Sequence, residues 1–256
     1  MNRIIAIANQ KGGVGKTTTA INLAAGLADR HRKVLAIDID PQGNMTSGLG
    51  IDKRDSDKNI YSVLCGDCTA AEAVVKTEVK RLDLLPSHVD LAGAEIELID
   101  RERREYLLKE QLGPILDGYD YVVIDCPPAL SILTINALTT ANTVLVPIQC
   151  EFYALEGLSQ LIYTIDLVKD RLNPELFIEG VVFTMYDSRT NLSEQVVENV
   201  RNNLDQHIYR TVIPRNVRLA EAPSFGQPIQ LYDRKSSGAM AYDSLAKEVD
   251  KRRFKE

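Results

Sequence analysis

Residues 9–18 read Asn9-Gln10-Lys11-Gly12-Gly13-Val14-Gly15-Lys16-Thr17-Thr18, between an apolar run (4–8) and a helix-like run (19–28). A strand, a glycine-rich loop and a helix start, in that order, make a cradle for phosphate. Glycine lets backbone N–H groups turn toward an oxyanion without a Cβ in the way. In such a cradle Gly12, Gly13, Val14, Gly15 and Thr18 supply backbone, Lys16 reaches the outer phosphates, and the Thr17 hydroxyl sits on Mg²⁺. A glycine-rich turn in a structural loop is the bland alternative, and the flanking strand and helix patterns weigh against it.

The rest of the chain keeps that alternation. Residues 3–8, 33–37, 81–86, 121–125, 143–148, 177–185 and a short stretch from Thr211 to Pro214 read as strands. Residues 17–30, 60–65, 70–76, 91–112, 134–141, 151–171, 191–203 and 236–254 read as helices, and 51–57 as a surface loop. The pattern predicts an α/β fold: a doubly wound, mostly parallel sheet with helices on both faces. At 256 residues the chain suits one large domain over residues 1–256. The helix at 91–112 carries Glu and Arg on its outer face, most simply a solvated surface with i, i+4 pairs.

Three further segments carry chemistry. Asp38-Ile39-Asp40-Pro41-Gln42-Gly43-Asn44 sets two carboxylates at the C-terminal end of a strand, where ligands bind in such sheets. Alone it would read as a turn whose Asp caps the next helix. Tyr121-Val-Val-Ile-Asp125-Cys126-Pro127-Pro128 is a buried strand ending in a carboxylate, a Walker B element in which Asp125 holds the waters of Mg²⁺. Cys126 has no His or Lys beside it in sequence, so it reads as a packed side chain. Thr211-Val-Ile-Pro214-Arg215-Asn216-Val217-Arg218 is a strand that reaches the ligand edge and stops at proline. Cys65-Gly-Asp-Cys68 has metal or redox spacing, yet no second pair or nearby His completes four ligands, so it reads as a loop with two thiols.

The phosphate loop departs from G-x-x-x-x-G-K-[ST]: Gln10 stands at the first glycine and Lys11 is an extra cation. K-G-G-x-G-K-T, D-x-D-P-Q-G-N, the Asp125 strand and Q-C-E-F-Y-A-L-E-G-L-S-Q together resemble the ParA/MinD family of deviant Walker A P-loop ATPases. The resemblance runs from Ile4 to Val249 and is closest to the chromosomal ParA (Soj) proteins. It implies an ATPase using ATP and Mg²⁺. In that family the residue matching Lys11 reaches the partner's phosphates across a nucleotide-bound homodimer. The one matching Asp40 positions the attacking water, and the one matching Asp38 binds the Mg²⁺ shell through water. Pro214 and Asn216 match adenine contacts. Arg189 and Arg218 match positions that bind double-stranded DNA nonspecifically, although by themselves they read as solvated arginines. The implied partners are a ParB-type protein, DNA, a second copy of the chain and the replication initiator. The implied place is the nucleoid. The region at 91–112 lies near the dimer and partner surface in such relatives.

Composition limits the alternatives. No apolar run approaches the roughly 20 residues of a membrane span, and the N-terminus enters a strand directly, so no secretory signal is expected. Four cysteines outside a small scaffold suit a reducing cytoplasm. A net charge of −6 still allows a local basic patch to hold DNA. With no Trp, stacking on single-stranded bases is not the expected mode. A nucleotide-gated regulator of replication initiation or transcription uses the same residues and stays open. A MinD-like membrane switch needs an inserting C-terminal helix, and Asp250-Lys-Arg-Arg-Phe254-Lys-Glu is too polar for that. The basic run Lys251, Arg252 and Arg253 either adds DNA contacts or complements a helix end. A redox reductase working through cysteines is the last alternative.

Overall fold

The strands bury side chains on both faces because alternate residues point to opposite layers. Ile4, Ala6 and Ala8 of the first strand enter one core and Ile5 and Ile7 the other. The computed structural model describes residues 2–53, 57–151 and 154–252, without the side chains of 95 and 154–156. Arg253, Phe254 and Phe152-Tyr153, all named above, lie outside the described residues.

Among the described residues eight strands form one sheet: β1 (Arg3–Ile7), β2 (Val34–Asp38), β3 (Val75–Lys76), β4 (Leu82–Leu85), β5 (Tyr121–Asp125), β6 (Thr143–Gln149), β7 (Phe177–Tyr186) and β8 (Ile208–Pro214). Their order is β3-β4-β2-β5-β1-β6-β7-β8, and only β3 runs antiparallel to its neighbour. The helices Lys16–Asp29 and Ser237–Lys251 cover one face. Those at Ile60–Cys65, Leu107–Leu112, Ile132–Thr140 and Ala154–Arg171 lie on the other. No helix among the described residues is long and apolar enough to cross a membrane.

The strand expected over 211–214 begins earlier, at Ile208, and short helices not expected form at Asn44–Gly48, Val217–Glu221 and Ile229–Tyr232. Two of the expected helices also differ. The long helix over 91–112 is broken into Leu91–Glu97, a 3₁₀ turn at Arg104–Tyr106 and Leu107–Leu112. Residues 99–104 have no apolar stripe to bury: Ile99 is exposed and the rest are charged. The polar side chains of the Ile132–Thr140 helix then capture the freed backbone. Asn136 donates to the Arg104 carbonyl at 2.8 Å and accepts from the Leu108 N–H at 3.0 Å, and Thr139 donates to the Glu105 carbonyl. The outer charges are not merely solvated, since Arg101 donates to the Cys65 carbonyl at 2.7 Å. The helix expected over 70–76 ends after one turn, Ala70–Ala73, and Val75–Lys76 joins the sheet as its edge. Adjacent β-branched valines favour that exchange.

Opposite the phosphate loop, the N-terminal ends of the strands are tied by one buried carboxylate. Glu179 accepts from Arg3, from the Tyr209 hydroxyl at 2.7 Å and from the Thr143 hydroxyl at 2.6 Å. Arg3 also donates to the Val249 carbonyl at 2.7 Å, joining β1, β6, β7, β8 and the C-terminal helix. Removing one member of a buried pair strands the other charge. Glu179→Ala is expected to lower the unfolding free energy by about 3–5 kcal/mol in urea titrations, whereas Lys58→Ala, in an exposed pair, should leave it nearly unchanged.

Candidate functional site

Strand β1 delivers the chain into Asn9, whose amide donates to the Pro147 carbonyl at 2.7 Å and whose side-chain oxygen receives the Lys11 N–H at 3.0 Å. This asparagine anchors the base of the loop. Gly13 and Gly15 then take left-handed backbone, φ 76° and 84°, which an L side chain adopts only under strain. Gly15 caps the Lys16–Asp29 helix with no side-chain partner, so the first-turn N–H groups are left facing the loop. Thr184 of β7 donates to the Val14 carbonyl at 2.8 Å and to Ile148 at 3.1 Å, bracing the loop from the far side.

The two loop lysines point to different places. Lys16 is buried and its ammonium donates to the Lys11 carbonyl at 3.0 Å. Burial pushes its pKa down, against the pull of Asp125 and Asp40. Lys11 is 40% exposed and pairs with Glu151, just past the end of β6.

The acidic residues come together at the C-terminal ends of neighbouring strands. Asp38 and Asp125 are direct partners across β2 and β5, and Asp125 is paired with Ile7 of β1. Asp38 Oδ2 accepts the Thr46 N–H and hydroxyl, each at 2.7 Å, and Oδ1 accepts the Asp40 N–H at 3.3 Å. Asp40 Oδ1 holds the Gln42 N–H at 2.9 Å, and the Ser87 hydroxyl donates to the Asp40 carbonyl at 2.6 Å. Ser87 N–H returns to Thr46 Oγ1 at 2.9 Å, closing the network. Thr46 and Ser87 escape sequence reasoning; only a hydroxyl eight residues after Asp38 hints at one of them.

Both oxygens of Asp125 are fully buried and, among the described residues, have no hydrogen bond within normal geometry. Burial raises its pKa well above the carboxylate range, the Asp38 charge adds to the rise, and the nearby Thr17 hydroxyl and Lys16 only partly oppose it. Burial likewise moves Asp38 up to about 6. A buried carboxylate with bare oxygens next to a hydroxyl is a donor set for a hard divalent cation. Cys126 is buried beside it, and burial pushes its thiol far up, so it packs rather than attacks.

A cavity of about 270 Å³ opens beside Gly15 and Thr18. Pro214, Asn216, Met185 and Tyr242 line it, so Pro214 and Asn216 reach the phosphate loop only through the fold. Asn216 spends its side chain on the Leu219 N–H at 3.3 Å and on Ser237 at 2.8 Å, which leaves the strand-end backbone to face the cavity. Met185 sits there with φ 52°, a strained conformation the sequence does not advertise.

Arg189 and Arg218 fall at one end of the sheet, since β7 and β8 align Tyr186 with Pro214. Arg189 is exposed and clamps Asp187 through two bonds of 2.8 and 2.6 Å, holding that carboxyl well below its usual range. Arg218 bonds Glu221 at 2.9 Å. Cys65 and Cys68 are free thiols, the first directed at Glu97 and the second at Ser62. Among the described residues no group of three His, Cys, Asp or Glu side chains is arranged for a metal ion.

A strand–glycine loop–helix cradle, a Walker B carboxylate on the adjacent strand and an extra loop lysine define a P-loop nucleotide-binding protein of the deviant Walker A class. Residues 2–178 match the family model described as an AAA domain. The chain is 56% identical over 249 residues to the sporulation initiation inhibitor protein Soj of Bacillus subtilis, covering 97% of this chain and 98% of that one. It is 54% identical over 252 residues to the chromosome partitioning protein ParA of Myxococcus xanthus, covering 98% and 89%. The solved structure of cobyrinic acid a,c-diamide synthase from Mycobacterium smegmatis with bound ADP and magnesium matches at 40% identity and a TM-score of 0.87, covering 97% and 94%. The chain belongs to the ParA/Soj family of chromosome-partitioning P-loop ATPases. That a biosynthetic name sits on the same fold shows that fold alone does not set substrate.

The buried acids make a pH prediction. A carboxyl whose pKa is raised on folding keeps its proton in the fold longer than in the unfolded chain, so ligand-free stability falls as pH rises through that interval. For Asp38 the interval runs from 3.8 to about 6. Asp125→Asn removes the neighbouring charge and is expected to stabilise the ligand-free protein by about 1–3 kcal/mol near pH 7.5. The gain should shrink toward pH 4 in thermal melts across that range; a gain independent of pH would contradict it.

Proposed function

We propose that this chain is an ATP-driven DNA-partitioning switch: ATP and Mg²⁺ bind at the cradle, two copies close on the nucleotides, the dimer holds double-stranded DNA nonspecifically, and hydrolysis stimulated by a ParB-type partner releases it. The observation that carries the reading is the division between the two loop lysines. Lys16 is buried and bonded to the loop carbonyl of Lys11, while Lys11 itself is partly exposed and paired with Glu151. A cation so placed is available to a second copy. The ADP, the ATP analogue and the magnesium bound in the related M. smegmatis structures support ATP and Mg²⁺ as ligands.

Thr17 and Asp125, with Asp38 behind them, would hold the Mg²⁺, which when bound neutralises phosphate charge. Lys16 exchanges the Lys11 carbonyl for phosphate oxygens. Asp40, held by the Gln42 N–H through one oxygen, keeps the other for orienting a water. A carboxylate beside phosphate is a poor base, so its role is positional. Pro214 and Asn216 offer backbone edges to the adenine in the cavity. Arg189 and Arg218 face DNA from one end of the sheet in each copy, and pairing two copies doubles the phosphate contacts. The working place is then the nucleoid in the cytoplasm.

Lys11→Ala is expected to keep ATP binding within about threefold and to lose the dimer, read by light scattering with a slowly hydrolysed analogue. A normal dimer would refute the Lys11 assignment. Arg189→Ala with Arg218→Ala should weaken DNA retention by at least about tenfold while leaving DNA-free ATP turnover unchanged. Unchanged retention would remove the DNA assignment.

A further inference from the structure

At the sheet edge remote from Arg189 and Arg218, an open groove of about 800 Å³ runs beside β3 and β4. Four cations line it, Lys33, Lys76, Lys80 and Arg81, in a chain of net charge −6. The single acid in the lining is Asp83, already engaged by Lys76 at 2.7 Å and by the Tyr119 hydroxyl at 2.9 Å. Asp120 on the flank is tied to the Lys33 backbone N–H at 2.7 Å. The ammonium groups of Lys33 and Lys80 have neither an ion pair nor a hydrogen bond among the described residues. Arg81 has φ 71° in the β3–β4 turn, and its guanidinium donates to the His31 carbonyl at 3.3 Å.

The floor is apolar, from Val74, Ile115 and the ring of Tyr119. One wall is a sheet edge. Thr77 N–H bonds the Leu82 carbonyl at 3.4 Å, and Lys76 pairs with Asp83 one position along. Hydrogen-bonded and non-hydrogen-bonded pairs alternate in an antiparallel ladder, so the backbone N–H and C=O of Lys76 point away from β4 toward the open edge. Basic rim, apolar floor and an unpaired strand edge are the three elements that an added strand uses: side-chain charge, a pocket for alternate residues, and backbone bonds.

From this we infer that the groove between β3, β4 and the Gly113–Gly118 turn is a docking site for an extended acidic segment of a partner protein, with alternate apolar residues, added along the edge of β3. Charge complementarity sets the sign of the partner. The apolar floor favours a peptide over nucleic-acid backbone, which has charge but no apolar side chains to bury there. The surface lies at the N-terminal ends of β2, β4 and β5, opposite the nucleotide end of the sheet, so it serves attachment independently of the partitioning chemistry.

The probe is a short fluorescent peptide alternating Glu with Val or Leu, titrated into the full-length protein and read by anisotropy. Saturable binding that declines with added salt is expected, weakening by at least about tenfold in Lys33→Glu/Lys80→Glu. The same peptide with Lys in place of Glu should not bind. ATP binding by the double variant reports that it is folded, and Arg189→Ala should bind the peptide normally. No saturable binding, or equal binding by the double variant, overturns the inference. So does loss of duplex DNA retention in Lys33→Glu/Lys80→Glu without peptide binding by the native chain, which would make the groove a nucleic-acid surface.

Discussion

A buried carboxylate without a partner is expensive, and this fold places one at its centre. Asp125 ends β5 between β1 and β2, fully buried, with a second carboxylate, Asp38, in register beside it and only the nearby Thr17 hydroxyl and Lys16 to offset its charge. The surrounding strands hold the two charges together against their repulsion because the apolar cores on both faces fix the register. The result is a site short of positive charge. Lys16, also buried, supplies part of it, and a metal-bound polyphosphate is the kind of ligand that brings its own cation.

The same constraint shapes the segment from Asp38 to Asn44. Asp38 does not float; Thr46 and Ser87 clamp it and the Asp40 carbonyl into one hydroxyl network. The segment with Asp40 is therefore joined through side chains to the strand end that carries Asp38 and to the turn after β4. Any movement of Asp40 would have to break or carry these bonds.

The order of the sheet separates the candidate sites. The cradle sits on β1 at the middle, with the candidate base cavity and the two arginines toward β7 and β8. The basic groove lies at the β3 edge, at the other end of the strands. A partner on one edge leaves the other free, and none of the four cations of the groove belongs to the cradle.

Much of the site is legible in the sequence because it is local. A glycine loop between a strand and a helix declares itself within ten residues, and a strand ending in Asp has only one end to put it on. The parallel sheet follows from alternation, and the class of ATPase from the extra Lys11. Three-dimensional packing decided the rest. It broke the helix over 91–112, because charged residues with nothing to bury lost to Asn136 and Thr139, which lie more than thirty positions away. It turned 75–76 from helix into strand, because a free sheet edge outweighed local propensity. It brought Pro214 and Asn216 to Gly15, and Thr46 to Ser87, contacts between residues that no local period links. Backbone chemistry is written in neighbouring residues; the burial that gives Asp125 and Lys16 their charge balance is a property of the whole sheet.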